Sequence, residues 1–336
     1  MNIFKKLFFL IFFLNFGTSF LFSEEGTIKF ATLAPEGSTW LKVLRAWNKE
    51  IMEKSNGQLK FKIYSGGVSG DEKDVVRKIR LGQLQAGGFT GVGLGEIAPE
   101  VRILDTPFLF RDSNEIDYIY GKFEKEWVNA FEKKGYIFLG WAEVGFVHFF
   151  VSKPIQGLND LKKLKIWMWE GDPIAEITFK TMGISPIPLS IADVMTSLQT
   201  GLIEGVYCSP MAAIALQWFT RTKYMVETPL ANASGAVLIS KSSFDRLKPE
   251  LKQLLLESGK KHLKQLTNLS RLENRDSIAT LKKNGIQLIL SSSEKEIESN
   301  QKMGEDARKK LAGKLYEVSL LEKIEKALEE YRLSLH

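Results

Sequence analysis

The sequence predicts an α/β protein made of two sheet-and-helix units, and three observations predict it. From residue 27, short apolar runs alternate with longer segments whose apolar residues recur at helical spacing. That β-α-β-α-β order leads to a largely parallel sheet covered by helices. The pattern begins afresh after Gly157, which marks the second unit. Finally, residues 186–205, PIPLSIADVMTSLQTGLIEG, read as a strand, a helix and a strand. Ser190 with Asp193 three residues later opens that helix, and Gly201 supplies the left-handed residue that stops it.

The first unit has a strand at 28–33 and an amphipathic helix at 38–55. Leu41, Leu44, Trp47 and Ile51 form the helix stripe, and Asn56-Gly57 ends it. A strand at 59–64 is broken by Gly66-Gly67, followed by a helix at 71–81 and a strand at 85–90. Helix signals cover 113–134, and strands follow at 136–141 and 145–152. In the second unit a strand at 165–168, a helix at 173–182 and a strand at 184–189 precede a helix at 191–200 and a strand at 206–207. A strand at 236–240 leads to a long helical region at 249–284 and a strand at 286–290. Ser293 with Glu296 forms a capping box for the last helices, which run to about Tyr331. There is no tandem repeat and no Pro/Ser-rich tether, so crossing strands are expected to join the units.

Composition narrows the function. Of 336 residues 44% are hydrophobic and 26% charged, as in a soluble globular protein. The formal net charge is +6, of which Lys5 and Lys6 supply two, and the remainder is spread over mixed-sign helices. No basic block marks a nucleic-acid partner. Lys5 and Lys6, the apolar run from Leu7 to Leu14 and small polar residues up to Ser23 read as an export signal over 1–23. Cleavage after Ser23 leaves about 310 residues, enough for two domains; an uncleaved anchor is the alternative, since Phe20 to Phe22 prolong the apolar stretch. Cys208 is the single cysteine, so an intrachain disulfide is excluded, and no N-terminal cysteine awaits a lipid.

The segment 186–205 resembles a "PLPFSEVYTALQTGVVDG"-like signature of the extracytoplasmic substrate-binding proteins of TRAP (tripartite ATP-independent periplasmic) transporters, the DctP type. Three further segments resemble that family in the same order: IKFATLAPEGSTW (28–40), GQLKFKIYSGGVSGDEKDVVRKIRLGQLQAGG (57–88) and ILDTPFLFRD (103–112). The resemblance implies a two-domain periplasmic binding protein-like α/β fold with a hinge and a long C-terminal helix spanning both domains. Residues 24–146 and 232–272 are the expected first domain, and 147–231 and 273–336 the second with the C-terminal helices. It also implies capture of a small-molecule ligand in the periplasm and delivery to the membrane subunits of a TRAP permease, without catalysis or cofactor.

The departures from the family bear on the ligand. Relatives carry an arginine just after "LKI" that grips a substrate carboxylate with its fork; here Trp167 follows Leu164-Lys165-Ile166. A second arginine, in a "gfRh" context, is replaced by Val147, which leaves His148 as the nearby polar residue. A buried carboxylate without a cation is costly, so the expected ligand is apolar or amphipathic. In lacking the arginine, the chain is similar to relatives that work with a periplasmic tetratricopeptide-repeat protein. The candidate ligand contacts are Trp40, Phe89, Thr90, Val147, Phe149, Trp167, Trp169, Leu189, Tyr207, Ser209 and Asn232.

Rival readings are weaker. The glycine-rich stretch 87–95 lacks both the GxGxxG and the Walker spacing, and is expected to be a loop that brings backbone close to the cleft. His148, His262 and His336 lie too far apart in sequence to suggest a metal. His148 reads as a satisfied structural histidine and Cys208 as a small buried residue. Glu143, Glu170 and Asp172 have no spacing that marks paired catalytic acids, and read as solvated or helix-start charges. A sensory or scaffolding protein using the same cleft stays open, as do a secreted enzyme on this fold and a homodimer built on the long C-terminal helices.

Overall fold

Ser38 starts the first helix: its hydroxyl accepts from Leu41 N at 3.3 Å, and Trp40, Leu41, Leu44, Trp47 and Ile51 bury one stripe of Thr39–Lys54. The computed structural model describes residues 26–290 and 294–335. The expected export signal and the Ser293 cap lie outside the described residues.

The strands are β1 (Thr27–Thr32), β2 (Lys60–Tyr64), β3 (Ala86–Thr90), β4 (Tyr136–Trp141), β5 (Gly145–Val151) and β6 (Trp167–Trp169). They continue with β7 (Ile187–Leu189), β8 (Gly205–Cys208), β9 (Tyr224–Val226), β10 (Ala231–Ala233), β11 (Gly235–Ser240) and β12 (Gln287–Ile289). The first sheet runs β2-β1-β3-β11-β4, parallel across β2, β1 and β3, with β11 antiparallel to both its neighbours. The second runs β10-β5-β9-β12, with β8 also on β5. The short parallel pair β6–β7 is tied to β8 through a bridge between Ile166 and Gly205.

Among the described residues, three connections lead from a strand of one sheet to a strand of the other. The chain crosses at 142–144, between β4 and β5, and at Ser234, between β10 and β11. The crossing segments bond to each other, Ala142 N to Gly235 O at 2.7 Å and Val144 N to Ala233 O at 3.1 Å. The third connection is the helix Pro249–Lys283, about 50 Å long at the usual rise. Its Leu251, Leu255, Leu263 and Leu266 pack with Trp47 against the first sheet, and Leu281 packs with Trp218 and Ile286 in the second. Trp47 Nε1 donates to Ser258 of that helix at 2.8 Å.

The structure corrects several sequence expectations. The helical stretch 113–134 breaks at the buried Phe123 into Ser113–Lys122 and Glu124–Lys133. The strand expected at 165–168 is β6, shifted toward Trp169, and that at 184–189 shortens to β7. The last helix, Val318–Leu333, packs its Leu321, Ile324, Ala327 and Leu328 with Ile116, Trp127 and Phe131 over the first sheet. Arg332 fastens it there through Glu115 at 2.7 Å and Leu109 O at 2.9 Å.

The stretch expected as a glycine-rich loop is the end of β3 followed by the helix Gly91–Ile97. Its cap comes from a distant residue. Glu72, which opens the helix Glu72–Arg80, accepts from Thr90 N at 2.7 Å and Gly93 N at 2.6 Å. A Cβ at Gly93 would meet the Glu72 carboxylate, so glycine is needed for the close approach.

Candidate ligand-binding site

A cavity of about 500 Å³ lies between the two sheets, at the carboxyl ends of β1, β3, β6 and β8. The loop 32–38 and Trp40 form one side, and Trp167, Trp169, Tyr207 and the helix Pro210–Ala215 the other. The lobes touch around it. Trp169 Nε1 donates to Asp71 Oδ2 at 3.0 Å, and Lys73 Nζ donates to the carbonyls of Glu170 and Gly171 at 3.2 and 3.3 Å.

The aromatic wall is built so that its polar tips face protein. Trp167 stacks on Tyr207 at 5.0 Å, meets Trp218 edge-on at 5.3 Å and Trp169 at 5.9 Å. Trp167 Nε1 donates to Leu189 O at 3.0 Å, and the Tyr207 hydroxyl accepts from Trp169 N at 3.1 Å. With both indole N–H groups given to protein acceptors, ring carbon and the Tyr207 O–H are what the wall offers a ligand. Burial also pushes the Tyr207 hydroxyl above its ordinary pKa, so it stays neutral.

Among the described residues, one cation lines the cavity. Arg102 sits on the 3-10 helix Pro99–Asp105, is 4% exposed, and reaches across the cleft to Asp172 with Nη2 at 2.8 and 3.0 Å from the two oxygens. Its Nε lies 3.2 Å from Asp105 Oδ2, outside hydrogen-bond alignment. Asp172 also caps the helix Pro173–Met182, accepting from Ile174 N at 3.0 Å. Asp105 Oδ1 accepts from Ser234 N at the crossing at 2.7 Å. A Cβ at Gly91 would overlap Asp105 Oδ2, which explains that glycine. Burial works against the Arg102 charge, but Asp172 and Asp105 outweigh it and hold its pKa above the ordinary value; burial likewise pushes Asp105 up.

Glu72 lies on the same wall. Besides the two backbone donors it accepts from the Thr90 hydroxyl at 2.9 Å, and none of the three donors carries a charge. Burial pushes its carboxyl up to about 7, against the pull of those hydrogen bonds.

Of the residues proposed from sequence, Trp40, Phe89, Thr90, Val147, Trp167, Trp169, Tyr207, Ser209 and Asn232 line this cavity. Phe149 and Leu189 do not. Phe149 points to the same side of β5 as Val147 but two residues deeper, where Phe179 and Tyr207 cover it at 6.1 and 6.5 Å. Leu189 contributes its carbonyl to Trp167, not its side chain to the wall. His148 bonds Val226 O at 3.0 Å through Nδ1 and lies off the cavity. Burial holds its pKa down, as for a neutral structural histidine.

Sequence reading missed Arg102, Asp105 and Glu72. Arg102 stands at neither of the two family arginine positions, yet it lines the cavity, already engaged by Asp172. Its signal was a charge with an acid three residues later inside the apolar run EVRILDTPFL. Asp172 is a helix-start charge, as expected, but buried rather than solvated; Glu143 is also buried, paired with Arg271 at 2.6 Å.

Two lobes joined by paired crossing strands and one long helix, with a partly open cavity between them, are the architecture of a protein that binds a small molecule. The profile of the bacterial extracellular solute-binding proteins, family 7 (DctP), matches residues 30–314, and the chain belongs to that family. It is a TRAP-type solute-binding protein, and its place of work is the periplasm. A solute-binding protein of Verminephrobacter eiseniae is 28% identical over 246 residues, 72% of each chain. The 2,3-diketo-L-gulonate-binding periplasmic protein of Escherichia coli K12 is 27% identical over 247 residues, 73% of this chain and 75% of its own. In fold, the chain is similar to a TRAP periplasmic solute-binding protein of Xanthobacter autotrophicus Py2 with bound β-D-galacturonate. That match has a TM-score of 0.82 at 21% identity and covers 90% of this chain and 99% of the other.

Proposed function

We propose that this protein captures a small apolar or amphipathic molecule between its lobes and delivers it to the membrane subunits of a TRAP permease, with no chemical step of its own. The observation that carries the ligand class is Trp167, packed at 1% exposure under Tyr207 and Trp169 with its N–H given to Leu189 O, so that neither a cation nor a free polar group stands at this place behind the cavity. Burying ring and aliphatic surface there contributes about 1.5–3 kcal/mol per large side chain or its ligand equivalent. The E. coli relative and the Xanthobacter structure take sugar acids. In this chain the arginine lining the cavity is engaged by the chain's own carboxylates. An apolar cargo also gives a reason for a periplasmic tetratricopeptide-repeat partner, which would cover it on the way to the membrane.

Mass spectrometry of the exported protein, purified without refolding, should find an apolar or amphipathic compound bound. Calorimetry with D-glucuronate, D-galacturonate and C4-dicarboxylates should show nothing tighter than millimolar, about 4 kcal/mol. A micromolar constant for any of these acids, about 8 kcal/mol, overturns the reading.

A further inference from the structure

We infer that the Tyr207 hydroxyl fixes the polar atom of the ligand by donating a hydrogen bond to it, and that this atom is an uncharged acceptor, a carbonyl or ether oxygen. The inference rests on the reading above for the ligand's apolar body; the acceptor is argued separately, from where the donors on the cavity wall are directed.

Most polar side chains that line the cavity are given to protein or withdrawn. The indole N–H groups of Trp167 and Trp169 go to Leu189 O and Asp71 Oδ2, the Thr90 hydroxyl goes to Glu72 Oε2, and Arg102 Nη2 goes to Asp172. Thr178, Ser209 and Asn232 are buried. Tyr207 differs on both counts. It keeps partial exposure on the cavity wall, and its oxygen accepts from Trp169 N at 3.1 Å while its hydrogen goes to no acceptor among the described residues.

This donor is in place before a ligand arrives. The ring stacks on Trp167 at 5.0 Å and meets Phe179 edge-on at 5.5 Å and Phe149 at 6.5 Å, while the Trp169 N–H holds the oxygen. A group already immobilised loses little further freedom on binding. The ligand bond and the Trp169 bond share one oxygen, so each polarises and strengthens the other.

Charge selects the kind of acceptor. Burial and the nearby Asp172 carboxylate hold the phenol proton on, so the donor is neutral. A neutral donor cannot offset the cost of burying a carboxylate, and Arg102 is already bound to Asp172. A carbonyl or ether oxygen carries no such cost, and one donor serves it.

The test uses three probes: methyl hexyl ketone, the alkene with a methylene group in place of its oxygen, and octanoate. Each is titrated into the full exported protein at pH 7 and followed by intrinsic tryptophan fluorescence. In Tyr207→Phe the ketone should weaken about 5–30-fold more than the alkene. The variant also leaves Trp169 N without its acceptor, a loss common to both probes, so their difference isolates the hydroxyl. Octanoate should bind the parent at least about ten-fold more weakly than the ketone. Equal losses for ketone and alkene overturn the inference while the apolar-body reading stands, and octanoate binding as tightly as the ketone overturns it too. If the variant does not fold, the parent decides: the infrared carbonyl stretch of the bound ketone should lie below its value in hexane, and a hexane-like stretch overturns the inference. If neither ketone nor alkene binds, the apolar-body reading falls and takes the donor with it.

Discussion

Arg102 and Arg271 each face two carboxylates, one pair across the cleft and the other beside the hinge, and they are used differently. Arg271, on the helix Pro249–Lys283, spends its whole fork. Nε lies 3.2 Å from both Glu143 oxygens, Nη1 and Nη2 reach the two Asp117 oxygens at 2.8 and 2.7 Å, and Nη2 also reaches Glu143 Oε2 at 2.6 Å. Arg102 spends one nitrogen on Asp172 and leaves Nε unaligned against Asp105. A fully satisfied buried network holds structure rigid, whereas a partly satisfied one leaves groups that a ligand can complete. The hinge triad fixes where the crossing strands leave the first lobe; the cleft triad leaves Arg102 Nε and Asp105 Oδ2 buried without an aligned partner.

The largest way to break that contrast is Arg271→Ala. It strands Glu143, whose side chain is 1% exposed and whose carboxyl burial already pushes upward in pKa. Leaving one partner of a buried pair alone costs about 3–5 kcal/mol, and urea unfolding should show a loss of that order. Part of the charge sits at the surface, since Asp117 is 60% exposed, so the lower half of the range is expected. A loss below about 1 kcal/mol would mean that the crossing strands hold the hinge without the arginine.

Glu72 shows a third way to bury an acid, with hydrogen bonds and no cation, and its pH dependence sharpens the comparison. With a folded-state value of about 7 against an ordinary 4.5, the folded protein keeps a proton that the unfolded chain gives up between those pH values. Stability from this group is therefore full below about pH 4.5, falls as pH rises to about 7 and is flat above, a change of up to about 3 kcal/mol. Burial shifts Asp105 and Glu143 in the same direction, so the difference between parent and Glu72→Gln isolates Glu72. The variant should lose that part of the slope, whatever its absolute stability. Parallel stability curves for parent and variant from pH 4.5 to 7 would show that the three donors keep Glu72 ionised.

Helix starts and the order of the first strands were legible because their causes are local. Ser38, Asp172 and Ser190 each cap the helical turn that begins beside them, and Gly201 ends a helix in the left-handed region. The aromatic wall was legible too, since Trp167 and Trp169 alternate on one strand and share a face. The charged end of the cavity was not. Arg102 and Asp172 are 70 residues apart, and the Glu72 cap reaches the next helix from a separate turn. Neither pairing has a local pattern, because it is the packing of one lobe on the other, or of one helix on another, that makes it. The break at Phe123 escaped for a related reason: the residue is helix-compatible, and its burial in the core sets the angle.

The smallest effect concerns closure. Trp169→Phe keeps the ring in the wall but removes Nε1, the donor to Asp71 Oδ2 across the cleft at 3.0 Å. Asp71 keeps its role at the start of the helix Glu72–Arg80 through its other oxygen, so the first lobe should fold as before. Because the acceptor is charged and the site partly buried, the bond contributes about 1–2 kcal/mol to the closed state relative to the open one. Lys73 and Arg102 still bridge the lobes, so closure should weaken rather than fail. Global unfolding should move by less than about 1 kcal/mol, because an open but folded form absorbs the loss. The readout is kinetic and geometric: about 5–30-fold faster release of the co-purifying ligand, and a larger radius of gyration by scattering in its absence. Unchanged release with unchanged scattering would place the whole latch on Arg102 and Asp172, and would sharpen the contrast with the hinge.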